Sequence, residues 1–297
     1  FFFKQKTAYE IPKRDWSSDM CSSDLGVLLF LAEPALAIWP LGFCALIPLV
    51  HASAQARTGR RAALGGFMAG AAFFVPALFW LTSTTVLGWA ALSLYCAVYV
   101  ALFGALAQRT RNAAVLAAAW VGLEYIRGAV AFTGFPWILL SHTQADFSAF
   151  TQVLDIVGAY GLSGIVVLAN VWLCRALNER SFRPAIAAAA LVGGVSLYGV
   201  VRIQTIAAEP LLRVGMAQAS VPQEMKEQLE GTYDPEGVFG RYLAASAKIP
   251  KQPKLDMLVW PETVVLSPFT LNVNPDVLGA QNGFAARFDS GVGTARS

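Results

Sequence analysis

The residue best placed to do acid–base chemistry is Glu262, which follows the apolar run Met257-Leu258-Val259-Trp260 with only Pro261 between. Proline removes a backbone donor and ends a strand ladder, so Glu262 is expected just past the C-terminal end of a strand, where open α/β sheets gather ligands and catalytic groups. A carboxyl on such a turn, partly shielded by Trp260, could hold and release a proton as a general base. The plainer reading is a solvated turn residue. A second pair, Glu124 and Arg127, is three residues apart in an apolar stretch and would share one helix face. An ionisable pair within or near a bilayer is costly unless it pairs or faces water. It could therefore contact a polar headgroup or substrate, act as pathway charges in a transporter, or form a mutual ion pair that locks the helices. His51 and His142 are isolated from each other and from any carboxylate cluster, and Cys44, Cys96 and Cys174 lie in apolar runs, where a thiol is usually a small buried hydrophobe. Neither a metal motif nor a disulfide framework is visible, and no cofactor is called for.

The elements that must position these residues are mostly apolar. The 297 residues are 56% hydrophobic and only 14% charged, against about 25% charged in an ordinary soluble domain. A formal net charge of +3, with Lys and Arg scattered through the loops, argues against nucleic acid as a partner. A spanning helix needs about 20 mostly apolar residues. Six candidates fall at about 36–55, 61–82, 86–107, 112–131, 153–177 and 184–204, and residues 26–32 are read as the remnant of an earlier one. Every second connection is basic: Arg57, Arg60 and Arg61, then Arg109 and Arg111, then Arg175, Arg180 and Arg183. The positive-inside rule puts these loops in the cytoplasm, so the chain after Ile203 emerges on the other side. Arg127 and Arg202 run against the rule, and at helix ends their long side chains are expected to snorkel. The aromatic loop Ala131-Phe-Thr-Gly-Phe-Pro-Trp137 suits a turn at headgroup level.

After about Arg202 the hydropathy falls and the periodicity changes. Arg213 to Ala219 reads as a strand, Pro222 to about Lys248 as a broken polar helix, and Leu255 to Trp260 as a second strand, continuous enough in its apolar run to be buried on both faces. This β-α-β order marks an α/β layer.

Two stretches stand apart. Residues 1–25, FFFKQKTAYEIPKRDWSSDMCSSDL, which include Cys21, are polar and aperiodic and lack a signal peptide's apolar core; they look like translated sequencing adapter and are set aside. Residues 271–297 lose both strand alternation and helix period, as a frame-shifted or truncated end would. The expected domains are thus a leader at 1–25, a membrane domain at 26–204, an α/β segment at 205–270 and an atypical tail at 271–297.

The combination of apolar helices with Trp39-Pro-Leu-Gly-Phe43, Leu123-Glu-Tyr-Ile-Arg127, Phe132-Thr-Gly-Phe-Pro-Trp137, Val214-Gly-Met-Ala-Gln-Ala-Ser-Val-Pro-Gln223 and Leu258-Val-Trp-Pro-Glu-Thr263 resembles the apolipoprotein N-acyltransferases. The resemblance covers roughly residues 26–270. It implies a polytopic α-helical membrane bundle followed by the start of a nitrilase-like α-β-β-α sandwich, incomplete in these residues, on the extracytoplasmic side of a bacterial inner membrane. It further implies transfer of an acyl chain from a phospholipid donor to the α-amino group of a diacylglyceryl-modified apolipoprotein, by way of an enzyme thioester, in a monomeric enzyme.

That chemistry calls for a base, an oxyanion-stabilising cation and a nucleophile, which the family supplies as Glu, Lys and Cys. Glu262 matches the family's glutamate by its place in the Trp-Pro-Glu motif. No Lys or Cys follows it here, so the nucleophile is missing from the 297 residues and the chain by itself is expected to be inactive. Two smaller departures are Ser220, where the motif usually has Asn, and Glu227 after Lys226, where Trp is common. The competing readings are a membrane-tethered amidase using the same three residue types and a transporter or non-catalytic membrane scaffold.

Overall fold

The computed structural model describes residues 25–34, 36–131, 134–206, 212–218, 220, 238–249 and 255–260. The chain divides into two compact units, Phe1–Ala207 and Ala208–Ser297. Glu262, the leader up to residue 24 and the tail after residue 260 lie outside the described residues.

The first unit is helical. Residues 25–32 form α1, followed by a 3-10 turn at Trp39–Phe43, α2 at Ile47–Gln55, α3 at Gly59–Ala77 and a 3-10 turn at Phe79–Ser83. Then come α4 at Val86–Arg109 and α5 at Ala113–Tyr125, which one π-helical turn, Ile126–Val130, prolongs. A 3-10 turn at Leu140–Gln144 and the short α6 at Ser148–Thr151 lead into α7 at Leu154–Glu179 and α8 at Phe182–Thr205. The starts follow local chemistry: Thr58 caps α3 by accepting from Arg61 N–H, Thr85 caps α4 from Gly88 N–H, and Asn112 caps α5 from Ala114 and Val115 N–H.

Four helices among the described residues are long and apolar enough to cross a membrane, Val86–Arg109, Ala113–Val130, Leu154–Glu179 and Phe182–Thr205, where the sequence suggested six. The candidate at 36–55 breaks because Pro40 sits in a 3-10 turn and Pro48 starts a new helix, leaving the nine residues of α2. At about 1.5 Å per residue that is far short of the roughly 30 Å hydrocarbon layer. The 61–82 candidate also divides: α3 stops at Ala77, just after Pro76, and its first turn carries Arg60 and Arg61. Leu25, assigned to the leader from sequence, is instead helical and fully buried.

Small residues let the helices touch. A Cβ built on Gly66 would lie 2.5 Å from Val100 O, and one on Gly104 would lie 2.6 Å from Ala62 O, so α3 and α4 meet backbone to backbone. Bare glycine at such crossings is how apolar helices gain packing energy without a hydrophobic effect to drive them together. Asn170, fully buried on α7, accepts Leu46 N–H at 2.9 Å and donates to Gly42 and Val166 carbonyls, tying the first 3-10 turn to the bundle. The α4 residues Leu94, Val98, Leu102 and Leu106 and the α8 residues Ile186, Leu197, Val201 and Ile203 point outward. Apolar side chains exposed along whole helices fit hydrocarbon surroundings. At the end of α8, Arg202 Nε meets Asp155 Oδ2 at 2.9 Å, and Tyr198 donates to the same carboxylate.

The second unit holds β1 at Val214–Met216, α9 at Val238–Ala247 and β2 at Met257–Val259. The strands pair in parallel, Val214 with Met257 and Met216 with Val259, and parallel neighbours joined through a helix make the expected β-α-β order. The expected burial of β2 on both faces is not met: Met257, Leu258 and Val259 are all exposed, because no layer covers them among the described residues. Trp260, just past β2, donates from Nε1 to Ser246 Oγ at 2.9 Å and lies 5.9 Å from the Tyr242 ring, closing a small cluster with buried Ala217 and Tyr242.

Candidate functional site

The described polar site lies inside the first unit. Leu25, Leu29 and Glu33 from α1 and its end, Gly70, Phe73 and Phe74 from α3, Cys96, Tyr99 and Val100 from α4 and Trp120, Leu123, Glu124 and Arg127 from α5 line a pocket, which Ile138, Leu140 and Thr143 complete. Its empty volume, counting the open mouth, is about 530 Å³. The walls are apolar, so its few polar groups carry the chemistry.

Arg127 is 2% exposed and Glu124 6% exposed, yet no ion pair within 4 Å joins them among the described residues. Each turns instead to the loop that follows. The Arg127 guanidinium donates from Nη1 to Trp137 O at 2.9 Å and from Nη2 to Ile138 O at 3.1 Å, makes a long contact with Cys96 Sγ at 3.8 Å, and lies over the Phe74 ring at 5.4 Å. Its own carbonyl accepts Phe135 N–H at 2.8 Å. Glu124 Oε1 accepts Leu140 N–H at 2.8 Å. The sequence-based ion pair is thus corrected: the two side chains bond backbone groups of Trp137, Ile138 and Leu140, and Arg127 is buried too deeply to snorkel.

The loop needs that hold. Gly134 has φ +86° and Ile138 φ +55°, and a β-branched residue in left-handed backbone costs of order 1–3 kcal/mol. Charge-assisted hydrogen bonds to the carbonyls of Trp137 and Ile138 offset this strain. Trp137 itself is 56% exposed and packs on Trp80, ring centroids 5.6 Å apart.

Two carboxylate oxygens remain without a hydrogen bond, Glu124 Oε2 and Glu33 Oε1. Trp120 and Ser163 are the side chains that face Glu124. Glu33 lines the same pocket as Arg127 and Glu124. Glu33 went unnoticed in the sequence, although an acid at the end of the apolar run 26–32 is the signal that marks an intramembrane site. His142 accepts Leu139 N–H at its Nδ1, 3.3 Å away, while His51 lies 2.7 Å from Gln55 Nε2; neither joins a carboxylate among the described residues. Cys96 and Cys174 are buried free thiols and Cys44 is a half-buried one. No group of three or more metal-ligating side chains occurs among the described residues. Of the residues singled out from sequence, the structure brings Glu124 and Arg127 into one pocket, places Trp260 beside Ser246 and Tyr242 in the second unit, and leaves Glu262 outside the described residues.

This arrangement belongs to a matched domain. Residues 25–172 match the family model for the apolipoprotein N-acyltransferase N-terminal domain, which takes in the whole pocket. Apolipoprotein N-acyltransferase of Geobacter metallireducens is 32% identical over 93% of this chain and 56% of its own length. The chain belongs to the apolipoprotein N-acyltransferase family. Relatives of the same name from Nitrosomonas europaea, 30% identical over 85% of this chain and 50% of theirs, and from Rhodopirellula baltica, 28% identical over 82% and 47%, agree. The chain spans about half the length of these curated relatives. With four helices able to cross a bilayer and bacterial relatives throughout, it is a bacterial membrane protein of an acyltransferase family.

Proposed function

We propose that this chain supplies the membrane domain and the first part of the catalytic domain of an enzyme that moves an acyl chain from a phospholipid to the α-amino group of a diacylglyceryl-modified apolipoprotein, through a thioester on the enzyme. The observation that carries the reading is the Geobacter relationship. The uncovered 7% of this chain is shorter than the stretch from Glu262 to Ser297, so the matched region extends past the helices and over residue 262. In this reading Glu262 is the general base, Trp260 supports it from the end of β2, and residues 205–270 begin a nitrilase-like α-β-β-α layer. The parallel β1–β2 pair with α9 between them in sequence supports that layer. Residues 26–204 are the membrane domain, the basic loops around Arg109 and Arg180 face the cytoplasm of the inner membrane, and the chain after α8 lies outside it. The enzyme acts as a monomer.

The test is to express the complete open reading frame in membranes with labelled phospholipid and a diacylglyceryl lipopeptide. Labelled acyl-enzyme sensitive to hydroxylamine, followed by label on the lipopeptide amine, is expected. Release of the acyl group to water alone would mark a membrane amidase, and no acyl-enzyme at all a transporter or scaffold.

A further inference from the structure

Three connections of the first unit, 56–61, 109–112 and 175–183, hold eight arginines, no lysine and one carboxylate, Glu179. Positive charge alone serves topology, and lysine serves it as well as arginine. The structure adds that the three connections meet at one end of the bundle. The α3 and α4 helices run antiparallel, with Gly66 against Val100 and Gly104 against Ala62, and a Cβ on Gly59 would lie 4.0 Å from Gln108 Oε1. Arg60 and Arg61 at the start of α3 therefore sit at the same end as Arg109, the last residue of α4. Arg175 on α7 donates from Nη2 to the carbonyl of Arg111, which ties the end of α7 to the α4–α5 turn across 64 residues of chain. None of the eight forms an ion pair within 4 Å among the described residues, and all but the half-buried Arg175 are exposed. Like charges gathered in this way repel one another unless an anion from outside the chain lies among them.

The start of α8 adds backbone donors. Thr58 and Asn112 cap α3 and α5, but Ser181 makes no side-chain cap on α8, so the first N–H groups of that helix lack a side-chain acceptor. Arg180, in left-handed backbone at φ +48°, and Arg183 flank this open start. A helix N-terminus beside guanidinium groups suits the oxygens of a phosphate, and the planar fork of arginine takes two of them at once. Leu177, Phe182 and Ile186 are exposed next to these arginines. Phosphate oxygens beside hydrocarbon are the chemistry of a phospholipid, and a surplus of arginine selects one with net negative charge.

We propose that this end of the bundle, centred on Arg180, Arg183 and the Arg111–Arg175 seam, is a binding surface for the headgroups of anionic phospholipids. The proposal rests on the reading that turns the α4–α5 and α7–α8 connections to the cytoplasm, so the lipid belongs to the cytoplasmic leaflet. It is held there and not consumed. The 24 residues of α8, about 36 Å of helix, separate this surface from the chain that leads to Glu262.

Native mass spectrometry of the complete protein, loaded with ether-linked phosphatidylglycerol or ether-linked phosphatidylcholine of the same chains, tests this. Ether lipids have no ester to donate, so acyl transfer cannot remove them. Wild type is expected to retain phosphatidylglycerol over phosphatidylcholine. The double variant Arg180→Gln, Arg183→Gln should weaken that retention roughly 10- to 30-fold, while Arg202→Gln, at the other end of α8, should leave it unchanged. If the double variant fails to insert, Arg111→Gln takes its place with the same expected direction. Equal retention of the two lipids by wild type, or a preference that survives in the arginine variants, would overturn the proposal. Displacement of the lipid by inorganic phosphate at equal concentration would also overturn it, since that marks a small-anion site. Acyl transfer from ester phospholipid is assayed separately, so failure of the lipid surface and failure of the proposed function are distinguishable.

Discussion

Arg127 donates from Nη1 to the carbonyl of Trp137 at 2.9 Å, so a cation buried in an apolar helix is held by the backbone of a loop ten residues further on, with no carboxylate within ion-pair distance among the described residues. The guanidinium fork suits this task because one group reaches two adjacent carbonyls at once.

Arg127→Lys should therefore not be conservative. A single ammonium cannot bridge both carbonyls, and Ile138 would lose the contact that holds its strained backbone. We expect a loss of about 2–5 kcal/mol in stability, read as a lower unfolding temperature in detergent, with limited proteolysis opening first in the 134–139 loop. Unchanged protease protection of that loop would contradict the assignment.

The α3–α4 seam makes a paired prediction. Gly66→Ala puts a Cβ 2.5 Å from a backbone oxygen that cannot rotate away and should cost roughly 1–3 kcal/mol. Gly65→Ala, one residue earlier on the same helix, meets nothing within 4 Å and should be neutral or slightly stabilising. Equal thermal shifts for the two would show that the helices do not touch as described.

His142 gives a pH dependence with a definite sign. Burial, with Arg127 nearby, lowers its pKa from the ordinary 6.5, and its Nδ1 is an acceptor for Leu139 N–H. The unfolded chain therefore binds the proton more readily, and this contribution to stability is present above about pH 6.5. It is lost as the pH falls below that value. Thermal unfolding of His142→Gln should show a shallower decline on the acid side than wild type. An identical acid limb would remove His142 from the account.

Much of the membrane region could be read directly from sequence. The candidates at 86–107, 112–131, 153–177 and 184–204 each fall within a few residues of an observed helix, because long apolar runs bounded by Thr85, Asn112 and polar loops leave the backbone few alternatives. The earlier region was harder. Pro40, Pro48 and Pro76 break runs whose composition alone looks continuous, and hydropathy does not register a missing backbone donor. Glu124 and Arg127 could be picked out as a pair but not their partners, since backbone groups of a loop with two positive-φ residues leave no side-chain signature. Glu33 was overlooked because it ends a run too short to count as a span. In the second unit the strands and their order followed from periodicity, while the exposure of β2 depends on whatever covers the sheet, which a two-strand pattern does not specify.

Glu262 is the proposed base of a thioester-forming acyltransferase. Removing a general base should slow the step by about 10²–10⁴. The direct measurement is accumulation of labelled acyl-enzyme from phospholipid by the complete protein and by its Glu262→Gln variant, both checked for membrane insertion. The account predicts a hydroxylamine-sensitive acyl-enzyme in wild type and a loss of that size in its rate of formation in the variant, with insertion unchanged. Acyl-enzyme formed at the wild-type rate by Glu262→Gln would contradict it.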